Sequence, residues 1–344
     1  MGEVRTIRDV ARIAGVSVAS VSRTINDSGY VSPSTREKIE KVIREYDFHP
    51  NMSARDLKTR SSSLIAFVIS DEINEYYYNL IEVINRRIKS DGYSMIVCNS
   101  FNDPLIEKRN LAMLSNGAVS CIILNRCLGN EAFITRLSHR IPIILLHRRI
   151  RDEEFKGDYV DADFPQAAYV YTKMLLGKGH RRIAFVSGNL ELGSFADRFT
   201  AFRKAMQEEG VDGGEYEDCI RTGTATIQMG GEAMESLMSQ PKPPSAALIC
   251  HNLICIGALR WLKRNRIEIP DRLSIAAPCN LNLNDLYYVS ISSALPDLEE
   301  LGGRIAQYAI SRIRDEAGQI PCRSSVLHVN LLFGDSIREA GQFT

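Results

Sequence analysis

The sequence predicts a small all-helical domain followed by a two-part α/β core of parallel sheets. Three observations carry that prediction. Residues 6–58 hold successive helical apolar stripes separated by turn residues. From Leu64 onward, short apolar runs alternate with amphipathic helical stretches, the rhythm of parallel βαβ units. There are too many of these units for one sheet, and Asp161–Pro165 is a good place for the chain to change subdomain. The 344 residues are also enough for two or three domains.

In the first helix, Ile7, Val10, Ala11 and Ala14 fall on one apolar stripe. Thr6 precedes the stripe and Asp9 follows three residues later, a capping-box-like start. Gly15 tolerates a left-handed stop. Ser17 then caps a second helix to about Asn26, with Val21 and Ile25 inward. Its outward face is Val18, Ala19, Ser20, Ser22 and Arg23, short side chains apart from one arginine. Such a helix can lie close against a DNA major groove. The same three-helix bundle also fits a protein-binding or structural module. Ser32-Pro33 opens a third helix through Ile39, Val42, Ile43 and Tyr46, and Pro50 ends it. Asn51–Lys58 is a short further helix, marginal alone in water because isolated helices below roughly 12 residues rarely hold.

The core reads in order. Leu64–Ile69 is a buried strand and Tyr78–Ser90 a helix; Ser94–Cys98, Pro104–Ser115 and Cys121–Leu124 are strand, helix and strand. Glu131–Arg140 is a helix and Pro142–Leu146 a strand. Then come helix Gln166–Gly177, strand Ile183–Val186, helix Arg198–Glu209, and a weaker strand near Cys219–Arg221. Helix Ile227–Ser239, strand Ala246–Cys250, helix Leu253–Asn265 and strand Leu273–Ala276 follow. A late helix, Leu298–Ala317, precedes one final strand, Ser324–Leu332.

Composition narrows the function classes. The hydrophobic and charged shares, 44% and 24%, are those of a soluble globular protein. Residues 1–60 carry 11 Lys/Arg against 8 Asp/Glu, while the whole chain is balanced at 42 each. This favours the N-terminal domain as the DNA-facing end. No apolar run reaches the roughly 18 residues of a membrane span, and the N-terminus lacks a signal-peptide apolar core. The expectation is a cytoplasmic chain with no membrane partner. The eight cysteines form no Cys-x-x-Cys pair, so neither a metal nor a redox motif is indicated. No Gly-x-Ser-x-Gly, phosphate-binding Gly-rich loop or His-x-x-x-His occurs. The chain is expected not to be an enzyme and to need no cofactor.

The motifs Thr6-Ile7-Arg8-Asp9-Val10-Ala11, Gly15-Val16-Ser17, Val21-Ser22-Arg23, Ile25-Asn26, Thr35-Arg36, Pro50-Asn51 and Ala54-Arg55-x-Leu57 resemble the lactose/galactose-repressor family. The core matches less tightly, through Tyr76-Tyr77, Gly179–Ala184, Asp197-Arg198-Phe199-x-x-Phe202, Gly257-Ala258-Leu259, Ile269-Pro270-Asp271-x-Leu273-Ser274-Ile275 and Pro296. The resemblance implies a helix-turn-helix headpiece (1–50), a hinge helix and linker (51–63), and an effector-binding, dimerising core (64–344). That core would resemble periplasmic sugar-binding proteins, two subdomains crossed by three strands. Its first subdomain is expected over about 64–163 and 295–321, its second over about 164–294 and 322–344.

DNA contacts are expected from Thr6, Ser17, Val18, Ala19, Ser20, Ser22, Arg23 and Asn26 in the headpiece, and from Asn51, Ala54, Arg55, Leu57 and Lys58 in the hinge. In the family the hinge leucine, here Leu57, wedges into the minor groove. The expected partner is a near-palindromic DNA operator, bound by a homodimer so that two headpieces read two half-sites. Ligands of open α/β sheets bind beyond the carboxyl ends of strands. This selects Tyr76, Tyr77, Arg148, Arg198, Asn252 and Asn280 as effector-binding residues. Arg198 matches the family's effector-binding arginine, with a surface salt bridge to Asp197 as the competing reading. Core packing competes for the tyrosines, more for Tyr78 than for Tyr76 and Tyr77. Where the family carries acids, this chain has Cys279, His251-Asn252 and Ala162-Asp163. The effector is therefore expected to be a sugar or sugar derivative, tipped toward sugar acids or phosphates. The alternatives are a cytoplasmic sugar-binding protein, or a regulator answering to a protein partner through a degenerate pocket.

Overall fold

The computed structural model describes residues 6–25, 28–48, 62–70, 74–281, 289–315 and 317–341. Two compact units divide at Ser62/Ser63. Asn26, Asn51, Ala54, Arg55, Leu57 and Lys58 lie outside the described residues.

The first unit contains α1 (Ile7–Ala14), α2 (Val18–Ile25) and α3 (Pro33–Glu45). Its ends are set by local hydrogen bonds. Thr6 Oγ1 accepts from Asp9 N–H at 3.2 Å, and Asp9 Oδ2 accepts from Thr6 N–H at 3.1 Å. Gly15 takes the left-handed conformation at φ +66°, and its N–H returns to the Ala11 carbonyl. Ser17 Oγ accepts from Ser20 N–H at 3.1 Å, and Ser32 Oγ from Thr35 N–H at 3.3 Å. Val10, Ala11, Val21, Ile39, Val42 and Phe48 close the core between them.

The second unit holds two sheets of the same plan. The first comprises β1 (Leu64–Ile69), β2 (Ser94–Asn99), β3 (Cys121–Leu124), β4 (Ile143–Leu146), β5 (Asp158–Ala162) and β11 (Ser324–Leu327), in the order β11-β5-β4-β3-β1-β2. The second comprises β6 (Ile183–Gly188), β7 (Ile220–Gly223), β8 (Ala246–Ile249), β9 (Ser274–Ala277), β10 (Ser292–Pro296) and β12 (Val329–Leu332), in the order β12-β10-β9-β8-β6-β7. All pairings are parallel except β10 with β12. Helices α4 (Glu75–Lys89), α5 (Pro104–Leu114), α6 (Glu131–Ser138) and α11 (Leu298–Arg314) accompany the first sheet. Helices α7 (Phe164–Gly177), α8 (Gly193–Glu208), α9 (Ile227–Met238) and α10 (Asn252–Arg264) accompany the second. Side-chain-free positions bring α9 and α10 together: a Cβ on Gly230 would strike the Ile254 carbonyl, and one on Gly257 the Ile227 carbonyl.

The structure corrects three expectations. The final run is two strands, not one, and they belong to different sheets. β11 pairs with β5 and β12 with β10, so residues 322–327 join the first subdomain rather than the second. Strand β5 escaped the sequence pattern because two of its five residues are acids. Asp158 is fully buried against Arg312 and Arg323, and Asp161 against His147 and Tyr159. Helix α4 starts earlier than expected, with Asn74 Oδ1 accepting from Tyr76 N–H at 3.1 Å. Tyr76 and Tyr77 are thus in its first turn.

Candidate functional site

In the first unit, α2 buries Val21 and Thr24 and turns Val18, Ala19 and Arg23 outward. Val18 remains 46% exposed, a large apolar side chain held in solvent by a well-anchored helix. Ser17 and Thr6 are exposed, while Ser20 and Ser22 are half-buried. Thr24 returns its hydroxyl to the Ser20 carbonyl at 3.0 Å. The outward row is therefore short side chains and one cation, the set that fits against base edges.

In the second unit, the carboxyl ends of both sheets face one cleft, which contains a cavity partly open to solvent. All six residues expected to bind an effector line it. Their states differ. Tyr76 and Tyr77 are only 6% and 5% exposed and pack edge-to-face at 5.1 Å, whereas Tyr78 is 57% exposed. The expected weighting of the tyrosines is inverted, because the early start of α4 rotates the first two inward.

The Tyr76 hydroxyl lies 2.8 Å from His147 Nε2, and His147 Nδ1 lies 2.6 Å from Asp161 Oδ1. Tyr159 donates its hydroxyl to Asp161 Oδ2, and Ala162 N–H donates to Oδ1 at 2.7 Å. Nδ1–H donates to the carboxylate, so in the neutral ring Nε2 accepts the hydrogen bond of the Tyr76 hydroxyl. Burial, with the Asp161 charge, raises the Tyr76 phenol well above its ordinary range, and nearby Arg198 offsets part of this. The phenol stays protonated. His147 itself sits at φ +62°, a left-handed conformation that costs a non-glycine residue energy and persists only where its surroundings fix it.

Arg148 is pinned on the same wall. It donates to the Ser70 hydroxyl, to the Arg126 carbonyl at 2.8 Å and to Asn102 Oδ1 at 3.4 Å. Ser70 in turn donates to Asn125 Oδ1 at 2.5 Å, and Asn125 Nδ2 to the Leu146 carbonyl at 3.1 Å.

Arg198 stands on the opposite wall, in the second turn of α8. It is 7% exposed, with its guanidinium 4.6 Å from the Phe164 ring centre and 5.4 Å from that of Phe195. Its Nη1 donates weakly to the Cys250 carbonyl at 3.4 Å, and its buried Nε has no hydrogen-bond partner among the described residues. The expected competitor fails, since Asp197 pairs with Arg151 at 3.3 Å. Among the described residues lining the cavity, none is an acid. Cys250 and Cys279 line it as protonated thiols. Burial pushes Cys250 up to about 12 despite Arg198, and Cys279 well upward too, so neither supplies a thiolate. Asn74 and Asn252 join the two walls by exchanging amide hydrogen bonds of 3.2 and 2.7 Å.

Sequence reasoning missed Asn74, Asn125, Asp161, Phe164, Ser194 and Phe195 as a set, and named His147 only as one of the residues following a strand. Ser194 and Phe195 precede Arg198 at i−4 and i−3. The expectation that the helix began at Arg198 hid that shared face. Among the described residues, no cluster of His, Cys, Asp or Glu is placed to hold a metal, and no helix is long and apolar enough to cross a membrane.

Comparison with known proteins assigns both units. Residues 6–51 match the model described as bacterial regulatory proteins, lacI family, and residues 172–337 match the periplasmic binding protein-like domain. Residues 6–51 are a DNA-binding domain of the lacI family. The chain's relatives include the HTH-type transcriptional repressor PurR of Histophilus somni strain 2336, 25% identical over 313 residues, covering 90% of this chain and 93% of that protein. PurR of Haemophilus influenzae strain PittEE is 26% identical over 318 residues, covering 91% and 93%. The fold matches a lac repressor dimer bound to operator and an anti-inducer, with TM-score 0.80, 21% identity and coverage of 97% and 99%. It also matches a transcriptional regulator CelR–cellobiose complex, with TM-score 0.71, 22% identity and coverage of 97% and 100%.

Proposed function

We propose that the chain is a transcriptional repressor that reads a near-palindromic operator as a homodimer, and whose DNA affinity is set by a small metabolite in the core cleft. The observation that carries this reading is the presence in one chain of an exposed, capped α2 and of a cleft whose buried Arg198 lacks an anionic partner among the described residues. Val18, Ala19 and Arg23 are the proposed base-reading residues, and Tyr76, Tyr77, Arg148, Arg198, Asn252 and Asn280 the proposed effector contacts. The relatives' names as repressors support the direction of control. Operator binding would place the chain in the cytoplasm.

A dimer is supported by the first sheet's edge. β2, at the edge, exposes Ile96 and Val97, and the loop and helix that follow it expose Phe101, Leu105, Ile106 and Met113. An uncovered apolar edge of this kind is a template for a second copy. A duplex selected from a randomised library provides the test. The full site is expected to bind far more tightly than a single half-site, as a dimer requires. Arg23→Ala should lose about 1–3 kcal/mol on that duplex and much less on random DNA. Equal losses on both duplexes would remove the base-reading role, and equal affinity for half and full sites would remove the dimer.

A further inference from the structure

The walls of the cleft also bear on the class of effector, an inference that rests on the cleft being the effector site. A buried polyol needs a hydrogen-bond partner for nearly every hydroxyl, because an unpaired one is costly. This cavity has already spent most of its polar groups on itself. Asn74 and Asn252 hold each other, Asn125 holds Ser70 and the Leu146 carbonyl, and Tyr76 holds His147. The lining groups with hydrogen-bonding capacity to offer a ligand include the Ser194 hydroxyl, the Asn280 amide and most of the Arg198 fork, whose buried Nε has no partner among the described residues. That set is one cation and two small neutral groups. Apolar surface supplies much of the rest, from Phe164, Phe195, Cys250 and Cys279.

We propose that the cleft takes a small organic monocarboxylate with a compact apolar or ring-shaped body, in preference to a neutral sugar. A carboxylate offers acceptor positions only, which Arg198, Ser194 and Asn280 can fill. It supplies the single negative charge that Arg198 lacks, inside a region where its aromatic neighbours exclude water. A phosphate monoester carries up to two charges and three acceptor oxygens, more than the Arg198 fork and two neutral groups match, since Arg148 on the facing wall already donates to Ser70, Asn102 and the Arg126 carbonyl.

The test is calorimetric titration of the full chain with matched pairs. Benzoate, cyclohexanecarboxylate, glucuronate and shikimate are each set beside the corresponding carboxamide, with glucose, ribose, cellobiose and glucose 6-phosphate as further probes. At least one carboxylate is expected to bind while its amide does not. Arg198→Gln should weaken that binding about ten-fold or more, with Arg198→Lys in between. Circular dichroism of each variant checks the fold. A carboxamide that matches its acid, a glucose 6-phosphate that outbinds the acids, or a panel in which no carboxylate binds overturns the inference. Cys279→Phe, which fills the cavity, separates the two readings. A neutral sugar that binds the parent chain and is lost in Cys279→Phe defeats the carboxylate while leaving the cleft as the effector site. A ligand held equally by Cys279→Phe defeats the cleft itself.

Discussion

The two walls of the cleft share a strand order and differ in the residues just past the carboxyl end of each strand. After β1, β3 and β4 of the first sheet come polar residues tied to each other or to their neighbours: Ser70 to Asn125, Arg148 to the Arg126 carbonyl, and His147 to Tyr76 and to Asp161 of β5. After β8 and β9 of the second come Cys250 and Cys279, protonated thiols, with Arg198 reaching in from α8 between two phenyl rings. One wall is a template whose polar groups already hold one another before any ligand arrives. The other holds a desolvated charge and an orphaned donor. A ligand gains most on the second wall, since the first has little left to offer. The same topology thus carries two different roles, and these reside in the residues rather than in the fold.

The sharpest break of this comparison lies behind the first wall. Asp158 is fully buried and accepts from Arg312 at 2.7 and 3.0 Å and from Arg323 at 2.6 and 2.8 Å. It ties β5 to α11 and to the start of β11. Asp158→Ala would leave two guanidinium groups facing each other, at a cost of about 3–5 kcal/mol in urea unfolding. Burial alone would raise this carboxyl, but the Arg312 and Arg323 hydrogen bonds outweigh it and hold it below the ordinary carboxylate range. A depressed folded pKa means the pair contributes fully above the unfolded carboxylate pKa of about 3.9 and is lost as pH falls through the folded value. The parent chain should therefore lose stability over that acid window, and Asp158→Ala should show less of this dependence. An unchanged urea midpoint would mean that the first half is not held this way.

A smaller effect is expected at Tyr76. Tyr76→Phe keeps the ring against Tyr77 and removes the hydroxyl from His147 Nε2. A buried acceptor left unsatisfied costs about 1–3 kcal/mol, readable as a shift in the urea midpoint. A neutral result would show that water or ring rotation replaces the hydroxyl, and the first wall would be less complete than it looks.

How far the sequence could be read obeys the same division. Apolar strands were legible to within a residue or two, since Leu64–Ile69 and Cys121–Leu124 are continuous buried runs. The headpiece was legible because its caps are local: Thr6 with Asp9, Gly15, and Ser32 with Thr35 act within a few residues. Strand β5 was illegible because the partners that make its acids tolerable lie far along the chain, at Arg312 and Arg323. The division at His328 was illegible for a similar reason. A short continuous stretch reads as one strand until two sheets claim its halves. In the cleft, Arg198 was legible as a type of residue, but its aromatic cage was not. Phe164 and Phe195 are brought to it by two different helices.

The smallest expected effect sharpens the comparison most, because it runs against the usual outcome of altering a buried residue. Arg198 has no carboxylate within ion-pair reach among the described residues, and its Nε is buried without a partner. Removing one member of a buried ion pair is destabilising because it strands the other charge. Here no such partner would be stranded. Arg198→Gln removes a desolvated cation and leaves a shorter, neutral polar chain. It forfeits the contacts with Phe164 and Phe195, worth about 0.5–2 kcal/mol by cation–π estimates, and relieves a desolvation cost of comparable size. The net change in unfolding free energy without ligand should stay within about 0.5 kcal/mol of zero, well below the typical loss of about 1 kcal/mol for a point substitution. A loss of several kcal/mol would mean that Arg198 is structurally committed like Asp158, and the contrast between a completed wall and a waiting one would collapse.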